Sequence, residues 1–261
     1  MNYNEDFAQY YDKIFSRKNY SQEVECVLEL YKKHADHRSD LESVLDFGCG
    51  TGTHLFYLNE KLNNTASMVG YDCSEEMIML ANNKTQGVDN CFFTNNKDDI
   101  TDKFDLAISM FYVVNHLVTL EELKGFLEFT SSKLKKNGLL IFDCWNGITA
   151  IKDPPYSAER ERYSDHGEKI VTACISNTDL INSHVHMKNV VKIINNNNVL
   201  HTFNYELKHT LWTPFLLKQL LKEYNFDIIS VNKAYDIKKE AGEKDYKIVF
   251  TCRYSGDGGT N

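Results

Sequence analysis

The stretch Val44-Leu45-Asp46-Phe47-Gly48-Cys49-Gly50-Thr51-Gly52-Thr53-His54-Leu55 decides the fold of this chain. An apolar run ends in an acid, passes through glycines at every second position, and enters a segment with helical spacing. This pattern predicts a strand, a tight turn and a helix N-terminus. With no Cβ at 48, 50 and 52, a ligand can lie almost against the backbone of the turn. A phosphate loop would need Gly-Lys-Ser/Thr, which is absent. The dinucleotide fingerprint reads G-x-G-x-x-G, and here the third glycine comes one residue early. Nucleotide-type sites of this kind want an acid at the end of the next strand, about 20 residues on, to accept hydrogen bonds from ribose hydroxyls. Asp72 lies 20 residues after Gly52. A structural glycine turn followed by an incidental surface acid is the bland alternative, and the placement of Asp72 argues against it.

Working outward, 43–47 reads as a buried strand and 53–62 as the helix after the turn. Upstream, Val24, Val27, Leu28 and Tyr31 mark one face of a helix over 21–34. Before it lies an aromatic-rich segment with Phe7, Tyr10, Tyr11 and Phe15. Downstream, 68–72 is a second strand, Ser74 caps a helix with Met77, Ile78 and Ala81 inward, and 90–94 and 104–110 are further strands. A helix over 119–135 is expected to stop at Asn137-Gly138, followed by a strand at 139–143. Strands at 226–231 and 246–253 complete the set, with a helix opened by Thr213-Pro214 before them. Strands alternating with helices predict an α/β class chain with a doubly wound, mainly parallel seven-stranded sheet. After Asp143 the rhythm changes. Asp153-Pro154-Pro155 breaks the chain, and alternating segments at 168–176, 184–194 and 199–211 predict a small antiparallel insertion. Asn195–Asn198 is its expected hairpin turn, because Asn tolerates the left-handed conformation. The last residues, from Ser255 onward, read as a frayed tail.

Bulk properties narrow the function. The 261 residues are 42% hydrophobic, enough for a core, and carry a net charge of −8. Basic pairs such as Lys32-Lys33, Lys135-Lys136 and Lys238-Lys239 are scattered and form no stripe, which argues against a nucleic-acid partner. No run approaches the roughly 18 apolar residues of a membrane span. Residues 1–6 lack the build of a secretory signal. The seven cysteines contain no C-x-x-C pair, so reduced thiols in a cytoplasmic protein are expected and a zinc site is not. His184-x-His186 places two imidazoles on one strand face, but no third ligand of obvious spacing follows, so no metal is expected.

The glycine stretch resembles motif I of the class I S-adenosylmethionine-dependent methyltransferases, and Gly70-Tyr71-Asp72-Cys73-Ser74-Glu75-Glu76-Met77 resembles their Gly-x-Asp-x-Ser-x-x-Met pattern. The resemblance implies the Rossmann-like methyltransferase fold and S-adenosylmethionine as cofactor. It implies Asp72 on the ribose, Cys73 and Met77 against the adenine, and Asp46 near the donor's amino-acid end. The backbone of Gly48, Cys49, Gly50, Thr51 and Gly52 completes the pocket. After the third strand the family places an Asp on the adenine amino group. Asn96 aligns there and Asp98 is its rival.

The segment Ser109-Met110-Phe111-Tyr112-Val113-Val114-Asn115-His116-Leu117 is similar to one in sugar N-methyltransferases that act on nucleotide-linked amino sugars. Their histidine lies by the acceptor amine, so His116 is the candidate catalytic residue and Met110 joins the donor-binding set. Lys18-Asn19-Tyr20-Ser21-Gln22-Glu23 matches a Lys-Asp-Tyr-x-x-Glu stretch of the same enzymes, which adds Tyr20 to that set. The His-Leu element also occurs in glycine N-methyltransferase-like enzymes. On position alone, His116 is more often a packed residue than a catalyst. Trp145 reads equally as an acceptor wall or as packing. Tyr3, Tyr10 and Tyr11 read as a lid over a sulfonium or as packing. Arg160, Arg162, Lys188 and Arg253 are either surface charges or partners of a diphosphate.

The expected organisation is a donor-binding core at 1–150 and 212–254, with residues 151–211 as an insertion covering the acceptor site. The expected function is in-line methyl transfer to an amino or hydroxyl group of a nucleotide-linked sugar, with His116 accepting a proton or holding a neutral amine. A glycine-like amine, or a polyketide or peptide metabolite, is the alternative acceptor; a non-catalytic donor-binding protein is the alternative of a different class. The partners expected are a small-molecule acceptor, no nucleic acid, no membrane, and a possible homodimer through the insertion's strand edges.

Overall fold

The computed structural model describes residues 5–35, 40–164 and 167–256. Five strands run parallel: β1 (Ser43–Phe47), β2 (Ser67–Tyr71), β3 (Cys91–Thr94), β4 (Phe104–Ser109) and β5 (Leu134–Trp145). Four more, β6 (Ala158–Tyr163), β7 (Lys169–Asp179), β8 (His184–Asn195) and β9 (Asn198–Thr210), form a separate antiparallel sheet in that order. The last three, β10 (Phe226–Lys233), β11 (Asp236–Glu240) and β12 (Lys247–Tyr254), return to the first sheet. Its order is β11-β10-β12-β5-β4-β1-β2-β3, eight strands among the described residues. Strand order reverses at β1, where the chain winds first toward β3 and then back through β4. The crevice at the C-terminal ends of these strands is where such sheets bind ligands.

The helices are α1 (Glu5–Ile14), α2 (Tyr20–His34), α3 (Thr53–Lys61), α4 (Glu75–Lys84), α5 (Val113–His116), α6 (Leu120–Lys133), α7 (Gly147–Lys152) and α8 (Pro214–Glu223). Alternate strand residues serve opposite layers. Leu45, Ala107, Leu140 and Phe250 pack with Leu123 and Leu127 of α6 and Leu217 and Leu221 of α8. Val44, Leu106, Ile141 and Val249 pack with Val27 and Leu30 of α2 and Leu55 and Leu58 of α3. A sheet covered on both faces needs strands that are apolar throughout, as the sequence of these strands is.

The architecture agrees with the expected doubly wound sheet and antiparallel insertion, with three differences. The core sheet has an eighth strand, β11, and the insertion a fourth, β6. Both are charged edge strands, Asp-Ile-Lys-Lys-Glu and Ala-Glu-Arg-Glu-Arg-Tyr, so no apolar alternation marks them. The helix expected over 119–135 ends at Lys133, and Asn137-Gly138, expected as its stop, lies inside β5. Asn137, at φ +67°, turns the chain within β5, where Leu134 pairs Phe104 and Leu139 pairs Leu106.

The Asn196-Asn197 turn between β8 and β9 has both residues left-handed, at φ +48° and +64°. The inner face of the insertion, with Ile170, Val191, Ile193 and Phe203, packs on Phe7, Ala8 and Ile14 of α1 and on Met77 of α4. Helix α1 thus lies between the insertion sheet and α4 and is tied to both sides. Lys13 pairs with Glu168 at 2.8 Å and Asp6 with His201 at 2.8 Å on the insertion side. On the core side Asp12 accepts from Thr51 Oγ1 at 2.7 Å and pairs with Lys84 at 2.8 Å. Tyr3 lies outside the described residues.

Candidate active site

Between the C-terminal edge of the core sheet, α1 and the insertion sheet lies a cavity of about 560 Å³. The glycine turn forms one end. Gly48, Gly50 and Gly52 all have positive φ, at +82°, +53° and +72°. At Gly48 a Cβ would come within 2.6 Å of the Val113 side chain, so this turn and the loop after β4 close on each other only around a glycine. Gly50 N–H donates to Asp72 Oδ2 at 2.9 Å, and Ser74 N–H donates to Asp72 Oδ1 at 3.0 Å. The Asp72 carboxylate is thereby held between the first two βα turns. Burial raises its pKa, and the two backbone donors oppose that rise.

Asp46, immediately before the turn, is 1% exposed and neither carboxylate oxygen has a partner in the protein. Burial, with repulsion from Asp72, pushes it up to about 8. An orphaned buried carboxylate is costly unless a ligand donor or cation meets it. This orphan, the Cβ-free turn and the ribose-type acid together fit S-adenosylmethionine.

The expected donor residues fall into two groups. Gly48, Gly50, Asp72, Cys73 and Met110 line the cavity, and the structure brings His116 to the same space. Tyr20, Asp46, Cys49, Thr51, Gly52, Met77 and Asn96 are not on its wall. Gly52 is the left-handed N-cap of α3, Thr51 bonds α1 through Asp12, and Met77 packs under α1. Tyr20 sits edge-on to His54 at 4.9 Å, beside the buried Lys18–Glu23 ion pair, with Glu23 also 2.8 Å from His54 Nε2. The Asn96 side chain accepts from Asp98 N–H at 3.2 Å, capping a short 3-10 turn. Its neighbour Lys97 reaches the cavity instead, with Nζ over the rings of Phe47 (5.1 Å) and Tyr71 (5.4 Å). Sequence reasoning missed Lys97, Phe47 and Tyr71 as walls; their nearness to the two acids was the only available signal.

His116 is placed by a strained loop. Phe111 and Tyr112 are both left-handed, at φ +69° and +64°, a conformation that costs about 1–3 kcal/mol per bulky residue and persists only when surroundings impose it. Here they do. Tyr112 N–H donates to Asp143 Oδ1 at 2.7 Å, and Asp143 Oδ2 accepts from Tyr235 Oη at 2.7 Å. Asn115 donates to the Thr210 carbonyl at 2.9 Å and accepts from Trp145 N–H at 2.8 Å. Trp212 Nε1 donates to the Val114 carbonyl at 3.0 Å. The four-residue α5 is therefore clamped by β5, β9 and the start of α8.

The far wall comes from the insertion, through Ser176, Met187, Asn189, Tyr205, Leu207 and His209. His209 Nε2 lies 3.1 Å from His116 Nε2. Burial lowers both imidazoles, His116 to about 3, so both are neutral at neutral pH. The unfolded chain takes up protons near pH 6.5 that the folded pair refuses, so stability is lost as pH falls from about 6.5 toward 3. Thermal melts from pH 7 to pH 4 should therefore show a smaller drop in Tm for His116→Leu/His209→Leu than for the natural chain. An equal drop would mean that neither ring is held neutral. His184 is engaged elsewhere, its Nδ1 3.0 Å from Thr210 Oγ1, and the described residues contain no cluster of three metal-ligating side chains. No described helix is long and apolar enough to cross a membrane.

A methyltransferase-domain family model matches residues 38–160. Over 150 residues the chain is 29% identical to the dTDP-3-amino-3,4,6-trideoxy-alpha-D-glucopyranose N,N-dimethyltransferase of Streptomyces venezuelae, covering 55% of this chain and 59% of that protein. The chain spans little more than half the length of the curated relatives it matches. A solved S-adenosylmethionine-dependent methyltransferase from Clostridium acetobutylicum superposes with a TM-score of 0.79 at 20% identity, over 96% of this chain and 98% of that one. DesVI of Streptomyces venezuelae superposes with a TM-score of 0.75 at 17% identity, over 96% and 99%. At these identities the structural likeness is one of fold. The glycine cradle and the acid that follows it agree with that fold: residues 38–160 match a methyltransferase domain, and the chain has the fold of the S-adenosylmethionine-dependent methyltransferases.

Proposed function

We propose that this protein transfers a methyl group from S-adenosylmethionine to an amino or hydroxyl group of a nucleotide-linked sugar. The observation that carries the reading is the polarity of the cavity beyond the glycine cradle. Four residues on its wall each hold a buried polar atom with no protein partner: His116 Nδ1, His209 Nδ1, Asn189 Nδ2 and Ser176 Oγ. Buried polar atoms are paired in folded proteins as a rule, so a group of orphans around one space fits a hydroxyl-rich or amine-bearing ligand. Apolar walls at Met187, Leu207 and Trp145 suit the faces of a deoxy sugar ring.

A second cavity, of about 610 Å³, adjoins the first and shares Trp145, Tyr156, Arg160 and Arg162 with it. Arg17, Lys18, Arg160, Arg162 and Lys247 line it against Asp153 as the acid. On a chain of net charge −8 this concentration of cations is a local departure, and it suits a diphosphate. Lys188 and Arg253, the other cations considered from sequence, lie outside this cavity and meet Glu206 and the His34 carbonyl; within it Lys18 pairs with Glu23 and Arg162 donates to the Ile14 carbonyl. The curated relative from Streptomyces venezuelae, whose name specifies a dTDP-linked amino sugar, supports the same substrate class.

When bound, the sulfonium cofactor supplies an already activated methyl group, so the protein's work is alignment and exclusion of water. Asp72 and the backbone at Gly48 and Gly50 would hold the donor. Phe7, Tyr11, Ile14 and Phe15 of the α1 region close the space from above. His116, neutral through burial, accepts a hydrogen bond from an acceptor N–H or O–H and so orients the acceptor, with the lone pair of an amine that has already lost its proton turned toward the methyl group. Residues 151–211 cover the acceptor end.

The test is a methylation assay with labelled donor against nucleotide-linked amino and deoxy sugars, free sugars, glycine-like amines and peptide metabolites. Labelling of the nucleotide-linked sugars is expected. Labelling confined to the amines or peptides would overturn the sugar reading while leaving methyl transfer intact. Arg160→Ala/Arg162→Ala should raise KM for the nucleotide-linked acceptor by about ten- to a hundredfold, as the loss of one or two charge-assisted phosphate contacts implies, with little change in kcat. An unchanged KM would remove the basic mouth from the acceptor site.

A further inference from the structure

His209 has no counterpart in any motif read from the sequence, yet it touches the candidate catalytic residue. It lies on β9, 93 residues beyond His116, with Nε2 to Nε2 at 3.1 Å. The rings meet edge to face, with centroids 4.1 Å apart and planes at 85°. Trp145 packs edge-on to His209 at 4.5 Å, which fixes the ring from its other side. Both rings line the cavity, and the Nδ1 of each is buried without a partner.

Two ring nitrogens at this distance share one proton, with one N–H donating and the other nitrogen accepting. A neutral imidazole carries its single proton on one nitrogen or the other. The ring that donates through Nε2 therefore has a bare Nδ1, and the ring that accepts carries N–H at Nδ1. The pair consequently offers one lone pair and one donor at its two free positions, and never two of a kind. A solitary neutral histidine has no such constraint on its tautomer.

We propose that His209 is a positioning residue for methyl transfer: it accepts the Nε2–H of His116, which leaves His116 Nδ1 as the lone-pair acceptor for the reacting N–H or O–H. The Nδ1–H of His209 then donates to an oxygen beside the reacting group. The pair thus favours acceptors that carry an amine or hydroxyl next to a second oxygen, as in a vicinal amino alcohol. This inference rests on the small-molecule methyltransferase reading above, and no proton has to leave the pair.

The experiment uses the full chain with ¹⁵N-labelled histidine and bound S-adenosylhomocysteine at neutral pH, without any acceptor. Ring signals are assigned by their loss in His116→Gln and His209→Gln. The expected pattern is His116 protonated at Nε2 and His209 protonated at Nδ1. The same tautomer in both rings, or the reverse assignment, overturns the proposal. Because no turnover is needed, this result is independent of whether the sugar acceptor is correct. With an acceptor in hand, His209→Leu should lower kcat by about ten- to a hundredfold, the cost of a misplaced reacting group, with affinity for S-adenosylhomocysteine within about twofold. His209→Gln, whose amide can still accept from His116, should recover most of that loss. Equal losses in the two variants, or none in either, would assign His209 to packing alone. If His209→Leu fails to fold, the ring spectra and His209→Gln still decide.

Discussion

Asp72→Ala is expected to weaken binding of S-adenosylhomocysteine by about two to three orders of magnitude. The carboxylate is 7% exposed and already holds two backbone donors, Gly50 N–H on Oδ2 and Ser74 N–H on Oδ1. These contacts point it into the cavity with acceptor capacity remaining for two ribose hydroxyls. Hydrogen bonds to a charged group contribute about 1.5–3 kcal/mol each, so losing two amounts to about 3–6 kcal/mol, at 1.4 kcal/mol per tenfold, and the lower half of that range gives the expected loss. The substitution also frees Gly50 N–H and Ser74 N–H, which loosens both turns of the cradle. Asp72→Asn keeps one acceptor oxygen and should lose less. Titration calorimetry with S-adenosylhomocysteine checks both variants, and an affinity near that of the natural chain for Asp72→Ala would take this residue out of the donor site.

His116→Ala should lower kcat by about a hundredfold, the cost of a misaligned reacting group, and leave affinity for S-adenosylhomocysteine within a few-fold. The two effects separate because the proposed function places His116 by the acceptor and Asp72 with the glycines by the donor, at different parts of one cavity wall. The pH profile carries a second expectation. Burial pushes His116 down to about 3, so it is neutral across the working range and does not shape the profile there. With an amine acceptor, kcat/KM should rise with pH until the acceptor's own ammonium has lost its proton, and His116→Ala should keep the same midpoint at a lower rate. A limb near pH 6.5 that disappears in His116→Ala would make the histidine a titrating base, as its unperturbed pKa would suggest.

The glycine turn and its contact with Asp72 were legible in the sequence because their geometry is local. Three alternate glycines force one backbone path, and Asp72 follows at the distance set by one helix and one strand. Ser74, Asn19, Thr119 and Thr213 each cap the helix they precede, a rule of local hydrogen bonding that the chain obeys at all four. Where local rules compete, reading was less sure. Asn96 aligned with an adenine-binding acid, yet its side chain caps the turn at Asp98 and the adjacent Lys97 faces the cavity. Asn tends toward such a role, because its short amide satisfies nearby backbone N–H groups first. The edge strands β6 and β11 escaped because charged edges are built without apolar alternation.

Sequence by itself determined the fold class, the glycine turn and the acid that follows it, since backbone conformation at glycine and the periodicity of buried strands act over a few residues. Only the tertiary structure decided what surrounds the acceptor. Helix α1, the loop after β4 and strands β7 to β9 meet there from segments up to about two hundred residues apart. His209 comes to His116, Arg160 and Arg162 to Lys247, and Asn115 to Thr210 only when the insertion sheet settles over the core. No local pattern records such contacts, because they depend on how two separately folded layers pack.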